Sequence, residues 1–324
     1  MNGMNGSKYT SFKEYMDEIA NSHQCAVVYD GKLVPEIPEG VERLPFIASE
    51  ENKSKKGAEA IETFLFTCGL LRSDLVVAVG GGVVLDVTGF AASIYKRGIT
   101  LHAVPTTLLA IVDASIGGKT GINTRWGKNT LGTFHLPERT IIDLDFLKTL
   151  PDAEFRSGLM EIYKIALLYS PALYGILTKW RPGFTPDLEY VIRTARTLKE
   201  EACRKDPFDR GERGRLNFGH TLGHALEEVS GYSLTHGDCI AYGMLFDLFP
   251  GKDEQLVHEL FRWGGISFPL PFTARELWKP MQHDKKRTGS DVDFVSPSRS
   301  FTLSFPAFEK AYYEWNRIYT YSSV

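Results

Sequence analysis

One stretch of the chain, VAVGGGVVLDVTGF (77–90), joins an apolar run directly to a helical pattern through three consecutive glycines. A short β-branched run also occurs at 25–30, residues 101–104 and 140–143 look like further buried strands, and residues 55–70 carry apolar side chains at helical spacing. Strands that alternate with helices are typical of an α/β layer with a largely parallel sheet. We therefore expect this fold class for the first part of the chain.

The pattern changes after Pro151. Residues 152–265 contain long helical patterns, such as 187–203 and 219–229, and few β-branched runs. We therefore expect two domains, an α/β domain over residues 1–150 and a mostly α-helical domain over residues 151–324.

Composition narrows the possible partners. The chain has 324 residues, 43% of them hydrophobic, a net charge of −3 and a pI near 6.3. These values give no reason to expect a nucleic acid or an anionic membrane as partner. The most apolar window, 75–95, contains glycines and Asp86, so we expect a buried strand, a turn and a helix there rather than a membrane span. Four widely spaced cysteines and a polar start without an apolar signal core favour reduced thiols in the cytoplasm.

The glycine turn at 80–82 could hold a phosphate group. Glycines allow close backbone approach, and the N-terminus of the following helix offers free N–H groups. The dinucleotide fingerprint GxGxxG is absent, so a tight structural turn is an equal alternative. Asp30, at the end of the run CAVVYD, is placed as an acid that holds a ribose hydroxyl would be.

A polar loop is expected at PTTLLAIVDASIGGKTGINTRWGKN (105–129). This run contains Gly118-Lys119-Thr120 but lacks the first glycine of the Walker A motif GxxxxGK[ST], which argues against a P-loop nucleotidase. Lys119, Lys128 and Asn129 could instead grip an oxyanion through charged donors and backbone amides. The alternative is an ordinary solvated loop.

Acidic and histidine residues suggest a metal site in the second half. Glu161 and Lys164 share a helix face between apolar flanks, so at least one of these charges should be buried. His220 and His224 also share a helix face, and His236 lies in a separate turn. One carboxylate and two imidazoles form an open zinc site. Spacing alone makes both His220 and His224 candidate ligands.

The ordered motifs along residues 72–288 resemble those of the 3-dehydroquinate synthases, a branch of the sugar phosphate cyclases. They are VAVGGGVVLDVTGFAASIYKRG, VPTTLLAIVDASIGGKTGIN, GKN, GLMEIYK, RGRLNFGHTLGHALE, HGD and DKK. Relatives that form other rings alter the residues around the His-x3-His helix, whereas this chain keeps Arg213, Asn217 and His224. The resemblance implies a Rossmann-like α/β NAD-binding domain, a mostly α-helical metal- and substrate-binding domain, a homodimer, and zinc or cobalt as the metal.

The resemblance also assigns residues by position. It implies that Glu161, His220 and His236 hold the metal and that His224 lies beside the substrate. Together with Asp30, the residues expected around NAD are Glu50, Lys53, Gly81, Gly82, Val83, Asp86, Thr106, Thr107, Asp113, Lys119, Lys128 and Thr149. Those expected around the substrate are Arg97, Asp113, Lys119, Asn129, Lys164, Lys199, Arg213 and Asn217. One lysine of Lys285 and Lys286 is expected to contact phosphate.

The implied substrate is a small sugar phosphate, 3-deoxy-D-arabino-heptulosonate 7-phosphate. NAD would oxidise its C5 hydroxyl, phosphate would leave by elimination, the hydride would return, and an aldol step would close the ring. Lys199 and Arg213 suit the substrate carboxylate, and Lys119, Asn129 and Arg97 suit the phosphate. His224 is a candidate proton relay.

Three alternatives stay open from the sequence. Another sugar phosphate cyclase would give a different ring from a heptulose phosphate. A metal-dependent polyol dehydrogenase of similar plan would show net NADH formation. A non-catalytic binding protein would have no evident need for the full set of polar residues.

Overall fold

The computed structural model describes residues 7–180, 187–249, 260, 266–282, 287–288 and 291–322. The chain divides into two compact units. The first is Met1–Pro151 with Lys199–Phe208, and the second is Asp152–Leu198 with Asp209–Val324. The segment Lys199–Phe208 lies beyond residue 150 in the sequence but groups with the first unit. A single boundary near residue 150 therefore does not separate the two units completely.

A six-stranded sheet forms the centre of the first unit, and every pair of neighbouring strands in it is parallel. The strands are β1 (Ser7–Tyr9), β2 (Cys25–Asp30), β3 (Glu42–Phe46), β4 (Leu75–Gly80), β5 (Thr100–Pro105) and β8 (Arg139–Ile142). Their spatial order is β1-β8-β5-β4-β2-β3. The expected parallel α/β sheet is therefore confirmed. The short strands β1 and β3 were not expected, since neither has a β-branched run.

The strand order reverses in the middle of this sheet. From β2 the chain moves outward to β3, and β4 then pairs on the other side of β2, followed by β5 and β8. In open α/β sheets, ligands bind outside the carboxyl ends of the strands at such a switch point. The ends of β2 and β4 therefore mark the place where a ligand of the first unit is expected.

Helices cover both faces of the sheet. One buried apolar cluster includes side chains of α2 (Lys55–Thr67) and α3 (Gly82–Ile94), and another includes side chains of α1 (Phe12–Ala20). Every residue of β4 is buried, as its continuous apolar sequence requires for a strand covered on both faces. Ser11 and Ser54 start α1 and α2 as N-caps, accepting the N–H groups of Glu14 and Gly57.

The stretch predicted as a polar loop has regular structure. It contains a π-helical turn, Ala110–Ala114, and a two-stranded antiparallel hairpin, β6 (Lys119–Thr124) and β7 (Gly127–Phe134). The loop prediction was wrong because glycines there serve strand packing. A Cβ atom on Gly132 would lie 2.3 Å from the carbonyl oxygen of Thr120, so only glycine allows the two strands to pair at this position.

The second unit is mostly helical, as predicted. Its helices are α4 (Asp152–Tyr169), α5 (Pro171–Leu177), α6 (Leu188–Lys205), α7 (His220–Val229), α8 (His236–Leu248), α9 (Ala274–Met281) and α10 (Phe305–Ser322). The last turns of α6 belong to the first unit. A small antiparallel sheet, which the sequence did not predict, consists of β9 (Arg287–Thr288), β10 (Asp291–Val295) and β11 (Ser300–Leu303).

An aromatic core joins this small sheet to the helices of the second unit. Phe246 on α8 contacts the rings of Phe294, Phe308 and Trp315 at centroid distances of 5.5 Å each.

Among the described residues, no helix has the length and apolar character needed to cross a membrane.

Candidate functional site

Three potential metal ligands converge in the second unit. Glu161 on α4, His220 at the start of α7 and His236 at the start of α8 each offer an atom, and these atoms lie within 4.8 Å of one another. Nε2 of His236 is 3.3 Å from Oε1 of Glu161, and Nε2 of His220 is 3.7 Å from the same oxygen. The Glu161 side chain is fully buried, so its charge needs a cation nearby.

Hydrogen bonds behind the two imidazoles fix their orientation. Nδ1 of His236 lies 2.6 Å from Oε1 of Glu227, and Nδ1 of His220 lies 3.1 Å from the carbonyl oxygen of Phe218. Because a carbonyl oxygen only accepts, Nδ1 of His220 carries the proton and Nε2 presents a lone pair. Ligating histidines usually donate their other N–H to a carboxylate or carbonyl group in this way. The three side chains and their partners therefore fit a divalent transition metal.

The electrostatics also fit a cation. Burial lowers the pKa of His220 well below its usual value, with a further contribution from Lys164, so the ring is neutral and able to ligate. Burial also acts to lower the pKa of His236, but the Glu227 and Glu161 carboxylates outweigh it and raise the pKa to about 10. In the absence of a metal, His236 is therefore the proton-carrying member of the cluster, and metal binding releases that proton.

Lys164 lies beside the three ligands. Its ammonium pairs with Oε2 of Glu161 and lies 3.5 Å from Nε2 of His220. Both charges of the pair are buried. The expectation that at least one of the two is buried is confirmed.

Helix α8 is fixed against α4 at its first turn. The N–H of Gly237 donates to Oγ of Ser157 at 2.9 Å, and a Cβ atom on Gly237 would lie 2.3 Å from Cα of Ser157. Thr235 caps the helix and forms a reciprocal capping box with Asp238. His236 is thus the first residue of a helix, and its placement in a separate turn was wrong. The missed signal was the Thr-x-x-Asp spacing.

Helix α7 is fixed against α8 through two glycines. Gly219, just before α7, has φ +78°. On α8, a Cβ atom on Gly243 would lie 1.8 Å from the carbonyl oxygen of Gly219. The N–H of Gly219 donates to Oδ2 of Asp247 at 2.7 Å. These contacts bring the first residue of α7, His220, towards His236.

His224 lies one turn along α7 from His220, with ring centroids 5.1 Å apart, and 6.4 Å from the ring of His236. It is not in the group of three convergent ligand atoms. Arg213 and Asn217 precede α7 in the 3-10 segment Glu212–Asn217. Arg213 is buried, and Nδ2 of Asn217 donates to the carbonyl oxygen of Gly214 at 2.7 Å.

In the first unit, the expected cofactor residues lie at the carboxyl ends of adjacent strands. The glycine turn follows β4, and Gly81 is the N-cap of α3 and offers no side-chain hydrogen bond, which leaves backbone N–H groups for a ligand. A Cβ atom on Gly81 would lie 3.2 Å from Cγ2 of Thr107, so the turn is closely packed. Gly81, Gly82, Val83 follow β4, Thr106 and Thr107 follow β5, and Asp30 ends β2. Their roles remain predictions.

A polar network links four other expected residues. Nζ of Lys53 lies 2.5 Å from Oδ2 of Asp86, and Nζ of Lys128 lies 3.3 Å from Oε1 of Glu50. Asn123, which no motif in the sequence indicated, donates to Oε2 of Glu50 at 2.7 Å. Burial raises the pKa of Asp86, and Lys53 opposes that shift. The structure thus brings Glu50, Lys53 and Asp86 into one part of the unit.

Lys199 and Asp113 form another charged pair of this unit. The ammonium of Lys199 contacts the Asp113 carboxylate and donates to the Asp113 carbonyl oxygen at 3.2 Å. Asp113 lies in the π-helical turn, a distortion often found at functional sites. The exposed Lys119 begins β6, and Asn129 on β7 has φ +50° and donates its N–H to Oδ1 of Asn123 at 3.0 Å.

Two further expected residues lie in 3-10 segments of the first unit. Arg97 is exposed in a 3-10 turn with φ +67°, and Thr149 is exposed at the end of another 3-10 segment. Lys285 and Lys286 lie outside the described residues. Glu227 and Asp247, both buried, were missed entirely. The available signal was an acidic residue within an otherwise apolar helical pattern.

Two family models match consecutive parts of the chain: 3-dehydroquinate synthase N-terminal over residues 44–157 and 3-dehydroquinate synthase C-terminal over residues 158–287. The chain belongs to the 3-dehydroquinate synthase family. The 3-dehydroquinate synthase of Streptococcus pneumoniae (strain Hungary19A-6) is 38% identical over 267 residues, covering 77% of this chain and 74% of that protein. The family resemblance of the motifs is confirmed.

Two solved structures share the fold at lower identity. The 2-epi-5-epi-valiolone synthase ValA of Streptomyces hygroscopicus subsp. jinggangensis 5008, with NAD+ and Zn2+ bound, has a TM-score of 0.82 at 22% identity and covers 98% of each chain. A 2-deoxy-scyllo-inosose synthase complexed with carbaglucose-6-phosphate, NAD+ and Co2+ has a TM-score of 0.81 at 22% identity and covers 96% of each chain. At this identity the likeness establishes the fold.

Proposed function

We propose that this chain is a 3-dehydroquinate synthase, a carbon–oxygen lyase that converts 3-deoxy-D-arabino-heptulosonate 7-phosphate into 3-dehydroquinate and phosphate. The observation that carries this proposal is the convergence of Glu161, His220 and His236 in a chain that matches the family over residues 44–287. A carboxylate and two imidazoles leave a coordination position open for a substrate oxygen.

The metal would be zinc or cobalt, held by Glu161, His220 and His236. When bound, the ion would supply Lewis acidity towards substrate hydroxyl and carbonyl oxygens. The protein's part is to orient the ligands, since Glu227 and the Phe218 carbonyl hold the rear nitrogens of the two histidines. The ammonium of Lys164, already close to Glu161 and His220, is available to hold or move a proton beside the ion.

The cofactor would be NAD, held in the first unit at the switch point between β2 and β4. When bound, it would supply a hydride acceptor and donor for the C5 carbon of the substrate. The glycine turn and the N-terminus of α3 suit its pyrophosphate, and Asp30 at the end of β2 suits a ribose hydroxyl. Thr106 and Thr107 follow the adjacent strand β5.

The substrate carries two anionic groups, and the chain offers buried cations for them. Lys199 and Arg213 are each buried, where a charge interacts more strongly than in water. On the hairpin of β6 and β7, Lys119 and Asn129 provide hydrogen-bond donors for the substrate phosphate. We place His224 beside the substrate because it follows His220 by one helical turn and lies outside the ligand group. We further propose that the protein is cytoplasmic and forms a homodimer. Analytical sedimentation or size-exclusion chromatography would test the dimer.

The deciding experiment is phosphate release from 3-deoxy-D-arabino-heptulosonate 7-phosphate by the purified protein with catalytic NAD and zinc. We expect release that a chelator abolishes, dehydroquinate as the product, and no accumulation of NADH. Glu161→Gln should lose this activity, and the exposed Glu228→Gln should retain it.

Other outcomes would contradict the proposal in distinguishable ways. Net NADH formation with a polyol would indicate a dehydrogenase, and a different ring product from a heptulose phosphate would indicate another sugar phosphate cyclase. No release by folded protein under any metal or NAD condition would refute the synthase activity.

A further inference from the structure

One peptide group connects a buried carboxylate to the His220 imidazole. The carbonyl oxygen of Phe218 accepts from Nδ1 of His220 at 3.1 Å. The N–H of Gly219, which belongs to the same peptide group, donates to Oδ2 of Asp247 at 2.7 Å. We propose that Asp247 is a positioning residue that orients the metal ligand His220 through the Phe218–Gly219 peptide. This inference rests on the metal centre of the proposed function.

The Phe218–Gly219 peptide needs a hydrogen bond from another helix because the local backbone does little to fix the orientation of its plane. Gly219 has φ +78°, and α7 has no side-chain cap at its start. A glycine is conformationally permissive, so rotation of this peptide plane meets little local resistance. A rotated plane would turn the Phe218 carbonyl away from Nδ1 of His220. The Asp247 hydrogen bond holds the N–H side of the plane and so keeps the carbonyl side in place.

What Asp247 contributes is its hydrogen bond to the N–H of Gly219. Asp247 is 3% exposed, and among the described residues Oδ1 has no hydrogen-bond partner. Burying an acidic side chain with a single backbone donor costs desolvation energy that one hydrogen bond does not fully offset. An apolar side chain would avoid that cost but would leave the buried N–H of Gly219 without its acceptor, which costs about 1–3 kcal/mol. The side chain therefore acts on the Phe218–Gly219 peptide, the group that faces His220.

The arrangement matches the one behind His236. There the Glu227 carboxylate contacts Nδ1 of the imidazole directly, at 2.6 Å. Each histidine of the cluster is thus backed by a buried carboxylate, one in direct contact and one through a single peptide unit. Hydrogen bonds in series polarise one another, so the relay through the peptide can also raise the basicity of Nε2 of His220.

The test uses two substitutions of nearly equal shape. Asp247→Asn keeps an oxygen that can accept from Gly219, and Asp247→Leu keeps the branched outline without any acceptor. Phe246→Leu is the control, since its ring packs into the aromatic core and its loss destabilises the same helix without removing the hydrogen bond. Zinc affinity is measured by competition with a chromophoric chelator, and the visible spectrum of the Co2+-loaded protein reports ligand geometry. Apo-protein unfolding is followed in parallel.

We expect Asp247→Leu to weaken zinc binding by roughly 10- to 100-fold, the range seen when a group behind a metal ligand is lost, and to change the Co2+ spectrum. Asp247→Asn should lie closer to the wild type. The apo-protein of Asp247→Leu should be no less stable than that of Phe246→Leu, which should retain wild-type affinity. If Asp247→Leu does not fold, Asp247→Ala takes its place in the same assays.

Contrary outcomes separate the two hypotheses. If the wild type binds zinc and Asp247→Leu binds it equally well, or loses no more affinity than Phe246→Leu, the positioning role is refuted. If the wild type itself does not bind zinc stoichiometrically, the metal centre of the proposed function fails.

Discussion

His220 and His224 show how neighbouring residues of one type differ in chemistry. Both lie on the same face of α7, yet only His220 has a ring nitrogen within the group that contains Glu161 and His236. The difference comes from the groups around each ring. His220 is the first residue of its helix, and the Phe218 carbonyl turns Nε2 towards Glu161. Residue spacing could not reveal this, because it places both histidines equally well.

The first prediction follows from this difference. His220→Gln and His236→Gln should each lose most bound zinc, since each removes one of three ligands. His224→Gln should retain one zinc per chain, because it removes a neighbour of the cluster and no ligand. Metal content after dialysis against a weak chelator measures the result. Zinc loss in His224→Gln as complete as in His220→Gln would show that the ligand set is different.

A second prediction concerns the carboxylate behind His236. Glu227→Gln keeps the shape of the side chain but removes its charge, so Nδ1 of His236 loses a charge-assisted hydrogen bond. We expect zinc affinity to fall by about 10-fold or more. Glu228→Gln, the adjacent exposed residue, is the matched control and should leave affinity unchanged. Equal affinity in the two variants would mean that Glu227 does not support the ligand.

At the scale of elements, the site depends on how closely three helices approach. Glycines at the crossings of α4, α7 and α8 leave no room for side chains, and ligands begin α7 and α8 directly beside those crossings. The third prediction compares two glycines in helices. Gly243→Ala would place a methyl group 1.8 Å from the Gly219 carbonyl oxygen, whereas a Cβ atom on Gly175 in α5 would meet none of the described residues within 4 Å apart from the backbone of its own helix.

We expect Gly243→Ala to lower the free energy of unfolding by about 1–3 kcal/mol or more, as overpacking does, and to weaken zinc binding because His220 shifts with α7. Gly175→Ala should be stabilising by about 0.5–1 kcal/mol, since alanine favours the helix interior over glycine. Urea unfolding of both variants measures the difference. A Gly243→Ala protein with the stability and zinc affinity of Gly175→Ala would contradict the close crossing.

Elements with a strong period were predictable from sequence, and elements defined by pairing were not. The short, mostly apolar runs of β2, β4, β5 and β8 identify buried parallel strands, and β-branched residues strengthen this prediction for β2 and β4. The hairpin of β6 and β7 was missed, since its glycines and polar residues resemble a loop until a partner strand is known. The small sheet of the second unit was missed for the same reason. Likewise, motifs located the metal cluster, but Glu227 and Asp247 act through contacts that spacing does not encode.

At the scale of the whole molecule, the loss of stability in acid depends on a buried histidine that has no role in the metal centre. His102 on β5 is 3% exposed, and its Nδ1 lies 2.6 Å from the hydroxyl of Tyr15. Burial, with a contribution from Arg139, lowers the pKa of His102 from 6.5 to about 4. Between these two pH values the unfolded chain binds a proton that the folded chain does not. Stability is therefore complete above pH 6.5 and falls as the pH drops towards 4.

The fourth prediction is that this one residue accounts for about 3 kcal/mol of the loss in unfolding free energy between neutral pH and pH 4. His102→Gln keeps a polar partner for Tyr15 but cannot take up a proton, so its unfolding free energy should fall less steeply over that range. The exposed His23→Gln removes a histidine that contributes less than burial and Arg139 to the low pKa of His102, so its slope should stay closer to that of the wild type. Denaturant titrations at several pH values, made on metal-free protein to exclude proton release at the cluster, measure the three slopes. Because His102 pairs in the central sheet of the first unit, its protonation should weaken that unit, and an unchanged slope in His102→Gln would assign the acid sensitivity to other groups.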